Sequence, residues 1–234
     1  MVLVDRFADG SAHDFHHADL PATTELTIWR FDISRSAIVL GSSQPESEID
    51  PGRAAALGIE VARRRSGGGA VLLVPGRHLW VDVFVPRGHV LWDDDVSRSS
   101  HWLGQVWRDV ASSLAAEGLL RIESQPLTVH EGRLAETQWS RTVCFAGIGP
   151  GEVVDSHGRK LVGISQRRTR EWARLQCIVS VVWDAQLMHD LIAGGRPALS
   201  EIESWGSRID ASSVGIDVSD VLFERFVSLV RQSS

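Results

Sequence analysis

Arg63-Arg64-Arg65-Ser66-Gly67-Gly68-Gly69-Ala70-Val71 runs three arginines straight into three glycines. Three successive residues without Cβ atoms leave a backbone free to adopt positive φ and to present its N–H groups to an approaching ligand. An anion or an acyl phosphate suits such a loop. No Gly-Lys-Ser/Thr follows, so the usual phosphate lysine of a nucleotide P-loop is missing. The other glycine-rich stretch, Gly147-Ile148-Gly149-Pro150-Gly151, is interrupted by proline and precedes no long helix, so it is not a dinucleotide fingerprint either.

Outward from the glycines the pattern is extended. Residues 59–64 enter the loop as a strand, and residues 71–74 and 78–85 predict the two strands of a hairpin. Upstream, strands are expected at 25–31 and 36–40, then a short helix from Pro51 to 57 that Gly58 closes. Downstream, residues 94–117 predict one amphipathic helix with Val96, Trp102, Leu103, Val106, Trp107, Val110 and Leu114 on its stripe and Gly118 as its stop. Further strands are expected at 119–123, 143–148, 152–154, 160–165 and 175–183, and helices at 185–193 and 218–230. Residues 1–22, polar and carrying His13, His16 and His17, read as a loosely held N-terminal arm, and residues 23–234 as one domain. The fold class is α+β, a mixed, antiparallel-rich sheet with flanking helices.

The chain is 43% hydrophobic over 234 residues, enough to bury a sizeable core, and no apolar stretch is long enough to span a bilayer. Its N-terminus lacks the layout of a signal peptide, so a cytoplasmic protein with no membrane partner is expected. A net charge of −6 argues against a phosphate-backbone footprint, and nucleic acid is not an expected partner. Cys144 and Cys177 are too few and too scattered for a disulfide scaffold. No ligand-spaced set of Cys, His and carboxylates points to a bound metal. GC-rich coding accounts for an excess of arginine, yet one lysine survives, Lys160, in Gly158-Arg159-Lys160-Leu161-Val162-Gly163-Ile164-Ser165-Gln166-Arg167. A compact ammonium on a flexible stem fits narrow sites where a planar guanidinium does not.

These two stretches, about 90 residues apart and in this order, resemble the two motifs of the lipoate-protein ligase and octanoyltransferase family, which shares its catalytic fold with the biotin-protein ligases. The resemblance runs from about residue 26 to 190. It implies a single biotin/lipoate-protein-ligase-like catalytic domain that holds an acyl chain beside the glycine loop. Lys160 then lies at the acyl carbonyl, where a cation stabilises charge developing during attack. Arg63 and Arg64 are expected to hold phosphate or carboxylate, Gly67, Gly68 and Gly69 to line the acyl channel, and Ser66, Ala70, Gly163 and Ser165 to complete the substrate site. Cys144 precedes Lys160 by 16 residues, close to the spacing of the nucleophilic cysteine in the octanoyl-transferring branch.

The leading expectation is a ligase that uses ATP and Mg to activate lipoate or octanoate and passes the acyl group to a lysine of a lipoyl carrier domain. Acceptors of that kind are the E2 subunit of 2-oxoacid dehydrogenases and the glycine cleavage H protein. The alternative is an octanoyltransferase that needs no cofactor and moves the acyl group from acyl carrier protein through Cys144. A third reading is a non-catalytic homologue that binds a lipoyl domain or acyl ligand. It is motivated by departures from the family pattern: Leu73-Val74 stand where a His-Asp pair is common, and Cys177 follows Gln176 where a histidine is common. Cys177 itself is expected to fill core.

Overall fold

A computed structural model describes residues 1–19, 23–212, 215 and 217–233. From the N-terminus, β1 (Val2–Gly10) leads through α1 (Ala12–His17) to β2 (Leu26–Ile33) and β3 (Ala37–Leu40). Helix α2 (Pro51–Ala56), β4 (Glu60–Arg63), β5 (Val71–Leu73) and β6 (His78–Pro86) follow. The long helix α3 (His101–Ala116) precedes β7 (Leu120–Ile122), β8 (Thr128–Val129), β9 (Val153–Val154), β10 (Lys160–Arg168) and β11 (Trp172–Ser180). Next come α4 (Ala185–Leu191), α5 (Leu199–Glu203), β12 (Ile209–Ala211) and α6 (Val218–Gln232).

Seven strands form the main sheet in the order β1-β2-β6-β11-β10-β9-β8, antiparallel except for the β1–β2 pair. A three-stranded sheet, β4-β3-β5, carries the glycine loop between β4 and β5, and β12 pairs with β7. This is the expected α+β class. On β6 the side chains alternate between two cores. Leu79, Val81, Val83 and Val85 meet α3 and α6, where Trp107 stacks on Phe226 with ring centroids 4.1 Å apart. Trp80 and Phe84 meet Val39 and Leu73 of the three-stranded sheet. With both faces covered, the strand is apolar on both sides from Leu79 to Val85 except at Asp82, which is buried against Arg174.

Four local expectations are corrected. Residues 2–10 of the supposed arm are strand β1, paired to β2 from Val2↔Leu26 onward, and residues 12–17 are helix α1. Within α1, His16 and Phe15 are only 7% exposed. The three histidines are therefore on a packed helix, not in a solvated loop, while residues 20–22 lie outside the described residues. Residues 71–74 and 78–85 are not a hairpin pair: β2 and β11 occupy both edges of β6, so β5 pairs with β3 instead. Helix α3 starts seven residues later than the pattern suggests. Asp93 and Asp95 side chains accept the amides of Asp95 and Ser97, both at 2.8 Å, and these local turns outcompete helix over that segment. Finally, residues 144–146 form one tight helical turn instead of a strand.

At the start of β6, His78 Nδ1 accepts the Val74 amide at 3.2 Å, and burial holds its imidazole down to about 4 from the ordinary 6.5. Burial also keeps His16 well below its ordinary value. An unfolded chain takes up these protons as pH falls below about 6.5 whereas the native chain refuses them, so this part of the stability is present above 6.5 and lost towards pH 4. Urea midpoints at pH 7 and pH 5 are expected to differ accordingly, and His78→Asn is expected to narrow the gap.

Candidate active site

Lys160 opens β10 and is fixed before its side chain is considered. Its amide donates to Trp205 O at 2.7 Å and its carbonyl accepts the Ser207 amide at 2.9 Å. The side chain is 1% exposed. An ammonium has three N–H donors and a high cost of burial unless they are matched. Two are matched, by the main-chain carbonyl of Cys144 at 2.8 Å and by Glu152 Oε2 at 2.7 Å. Glu152, 3% exposed, is itself held by the amides of Gly149 at 2.6 Å and Ile164 at 3.0 Å. Among the described residues, only these two hydrogen-bond partners face the Lys160 ammonium. Phe145 flanks the ammonium, its ring centroid 5.3 Å from Nζ.

The glycine loop lies against the segment that contains Cys144. Ala70 donates to Thr142 O at 2.9 Å, and Cys144 donates its amide to Ala70 O at 3.0 Å. A Cβ on Gly69 would sit 2.7 Å from Val143 N and 2.8 Å from Ser140 O, and one on Gly41 would fall on Gly68 O, where φ is +99°. Both glycines are there because backbone meets backbone. Gly41→Ala is expected to lower the thermal midpoint by the equivalent of about 1–3 kcal/mol, the usual cost of forcing atoms into packed space. Gly67→Ala is the stability control, because its Cβ meets nothing within 4 Å.

The two arginines face inward to main chain. Arg64, 4% exposed, donates to Gly67 O at 2.7 Å, Gly69 O at 2.8 Å and Val39 O at 3.2 Å. Arg63 donates to Gly41 O at 2.8 Å and Gln44 O at 2.7 Å, with Glu46 at 3.4 Å. Instead of presenting themselves to a phosphate or carboxylate, they hold the two loops that frame the site.

Two recesses meet there. A polar cleft of about 680 Å³ is lined by Gly67, Gly68, Gly69, Ser66, Lys160 and Glu152, among others. A smaller, mostly apolar cavity of about 40 Å³ is lined by Val39, Val71, Leu73, Trp80 and Ile178, with Gly163 on one wall. Cys144, Ile164 and Ser165 line both, so they form the junction. The glycines thus border the cleft and not the apolar channel expected from the sequence. Ser66 Oγ lies 3.2 Å from Ser165 Oγ across the junction. Ala70 and Arg63 line neither recess. Cys177 is 0% exposed, its thiol pushed by burial above the usual range, and it serves as core. Glu152 was missed from the sequence. The signal was available in principle, since a lone lysine in a buried strand requires a nearby carboxylate.

The fold and the site together define a catalytic domain with a buried lysine beneath a glycine loop, at the junction of an apolar cavity and a polar cleft. The lipoyl protein ligase A/B catalytic domain family matches residues 13–209, and the chain belongs to this family. Among solved structures, it is similar to a bipartite lipoate protein ligase from Thermoplasma acidophilum described with its E2 lipoyl domain. That match has a TM-score of 0.67, 15% identity, and covers 98% of this chain and 83% of the other. Lipoate-protein ligase A bound with ATP gives a TM-score of 0.62 at 17% identity, covering 98% and 85%. The P. falciparum LipL1 in complex with lipoate gives 0.61 at 13% identity, covering 100% and 61%. At these identities the likeness is one of fold. A sequence comparison with curated proteins finds no match. Among the described residues no helix is long and apolar enough to cross a membrane, and no group of three or more His, Cys, Asp or Glu is placed to hold a metal ion.

Proposed function

We propose that this chain transfers an acyl group from a carrier thioester to a lysine of a lipoyl domain through Cys144. The observation that carries the reading is the place of Cys144, gripped by Ala70 O at its amide and by Lys160 at its carbonyl, with its side chain at the junction of cavity and cleft. The Cys144 thiolate attacks the carbonyl of the carrier thioester, and the carrier thiol leaves and takes a proton. The acceptor lysine amine then attacks the Cys144 thioester, forming an amide and returning the thiol. In both steps negative charge develops on the acyl oxygen, and the third donor of Lys160 is held beside it without reorganisation. Glu152 is a positioning residue for that donor. The acyl chain occupies the apolar cavity, and the acceptor approaches through the cleft.

This reverses the order of preference drawn from the sequence. A nucleotide triphosphate fits the cleft poorly, because its lining offers Lys160 and Arg141 against Glu48, Glu136 and Glu152, while Arg63 and Arg64 are committed to main chain. ATP-dependent ligation is the second reading. In its favour stands the cleft volume, about 680 Å³, ample for a nucleotide. Mass spectrometry of a lipoyl domain incubated with octanoyl-acyl carrier protein, or with octanoate or lipoate plus Mg-ATP, separates the two. A mass gain in the first mixture supports the thioester route. A gain confined to the ATP mixtures establishes the ligase and removes the transferase, and no gain in any mixture returns the chain to a binding role.

A further inference from the structure

We infer that the apolar cavity selects an acyl chain whose inserted end carries a hydroxyl, met by a donor on His16 and an acceptor on Gln176. This rests on the reading of the cavity as the acyl site. Both residues line the cavity and not the cleft, so they meet the part of a ligand that passes the junction at Cys144. Each is only 7% exposed in a wall otherwise dominated by Trp80, Leu73, Val39 and Ile178. Neither His16 Nε2 nor Gln176 Oε1 has a hydrogen-bond partner among the described residues, and neither atom is fully sealed from solvent. Buried polar groups are ordinarily matched, so an unmatched pair facing a cavity points to an occupant.

The chemistry of the pair is dictated by what lies beneath it. Asp82 Oδ1 accepts Trp80 Nε1 at 2.8 Å, and Oδ2 accepts Arg174 Nε at 2.6 Å and Nη2 at 2.5 Å. Indole and guanidinium only donate, so Asp82 is an acceptor at both oxygens. Gln176, 3.2 Å from Oδ2, must therefore turn its NH2 to Asp82, which leaves Oε1 as a free acceptor. The same NH2 lies 3.3 Å from His16 Nδ1, so Nδ1 accepts and the ring proton sits on Nε2. The cavity thus offers one donor and one acceptor, the complement of a hydroxyl. A carboxylate is disfavoured. His16 and Gln176 carry no charge to receive it, Asp82 stands directly behind Gln176, and the Arg64 donors are turned to Val39, Gly67 and Gly69.

Calorimetric titration of the full chain with octanoic acid and with 8-hydroxyoctanoic acid tests this. The hydroxy acid is expected to bind about ten- to a hundredfold tighter, the range for one or two neutral hydrogen bonds in a closed site. The preference is expected to vanish in Gln176→Leu and in His16→Phe. In wild type, the ¹⁵N resonance of His16 Nε2 is expected to move with the hydroxy acid and not with octanoic acid, which keeps the test independent of how well the variants fold. Equal affinity, no binding of either acid, or a preference that survives both substitutions would overturn the inference. Carrier acylation assayed in parallel separates the two proposals: selective binding without acylation defeats the transfer reading and leaves this one standing.

Discussion

Lys160→Ala is expected to reduce acylation of a lipoyl domain by about 10²–10³-fold or more and, separately, to destabilise the chain by about 3–5 kcal/mol. The two effects have different origins. The loss of rate follows from removing the donor that faces the developing oxyanion. The loss of stability follows from leaving Glu152, 3% exposed, without its counter-ion. Two amides remain on Glu152, from Gly149 and Ile164, and they soften the penalty without cancelling a buried charge. Glu152→Gln in the Lys160→Met background removes that charge and fills the space of the stem. The double variant is expected to regain most of the lost stability in urea denaturation while remaining inactive. A double variant that regained activity would show that Lys160 serves the fold alone.

Cys144→Ser is expected to cost on the order of 10³-fold or more in transfer from octanoyl-acyl carrier protein, with little change in urea midpoint. The structural grip on residue 144 is through its main chain, to Ala70 and Lys160, and is indifferent to the side chain. The sulfur has no hydrogen-bond partner among the described residues, so a hydroxyl in its place breaks no contact. What changes is nucleophilicity: a hydroxyl without an adjacent base attacks a thioester far more slowly than a thiolate. In a ligase that passes an adenylate directly to the acceptor, the same substitution would leave the rate nearly unchanged.

The parts of the site readable in the sequence are those whose chemistry is local. Gly67 to Gly69 announce a backbone approached closely, and Lys160 stands out as the one lysine among 23 arginines. What the glycines approach is another matter. Gly69 abuts the main chain around Val143, and this depends on a meeting of segments some 70 residues apart. The roles of Arg63 and Arg64 turned on the same point. A guanidinium beside a glycine run suits a phosphate and a ring of carbonyls equally well, and only the path of residues 39–46 decides between them. Glu152 was hidden because it reaches Lys160 only when β9 pairs with β10. Strand β1 is faint in the sequence because an edge strand with one covered face carries a weak pattern in Val2-Leu3-Val4-Asp5-Arg6, and its parallel partner supplies the order. With β1 went His16, which the strand and helix α1 carry onto the cavity wall.

Transfer through Cys144 leaves a covalent acyl group on that one cysteine. Intact-mass measurement of the full chain, quenched in acid after brief exposure to octanoyl-acyl carrier protein, tests it most directly. The prediction is a single octanoyl adduct that survives denaturation, maps to Cys144, is released by neutral hydroxylamine, and is absent from Cys144→Ser. An unmodified chain that nevertheless acylates a lipoyl domain from octanoate and Mg-ATP would contradict it.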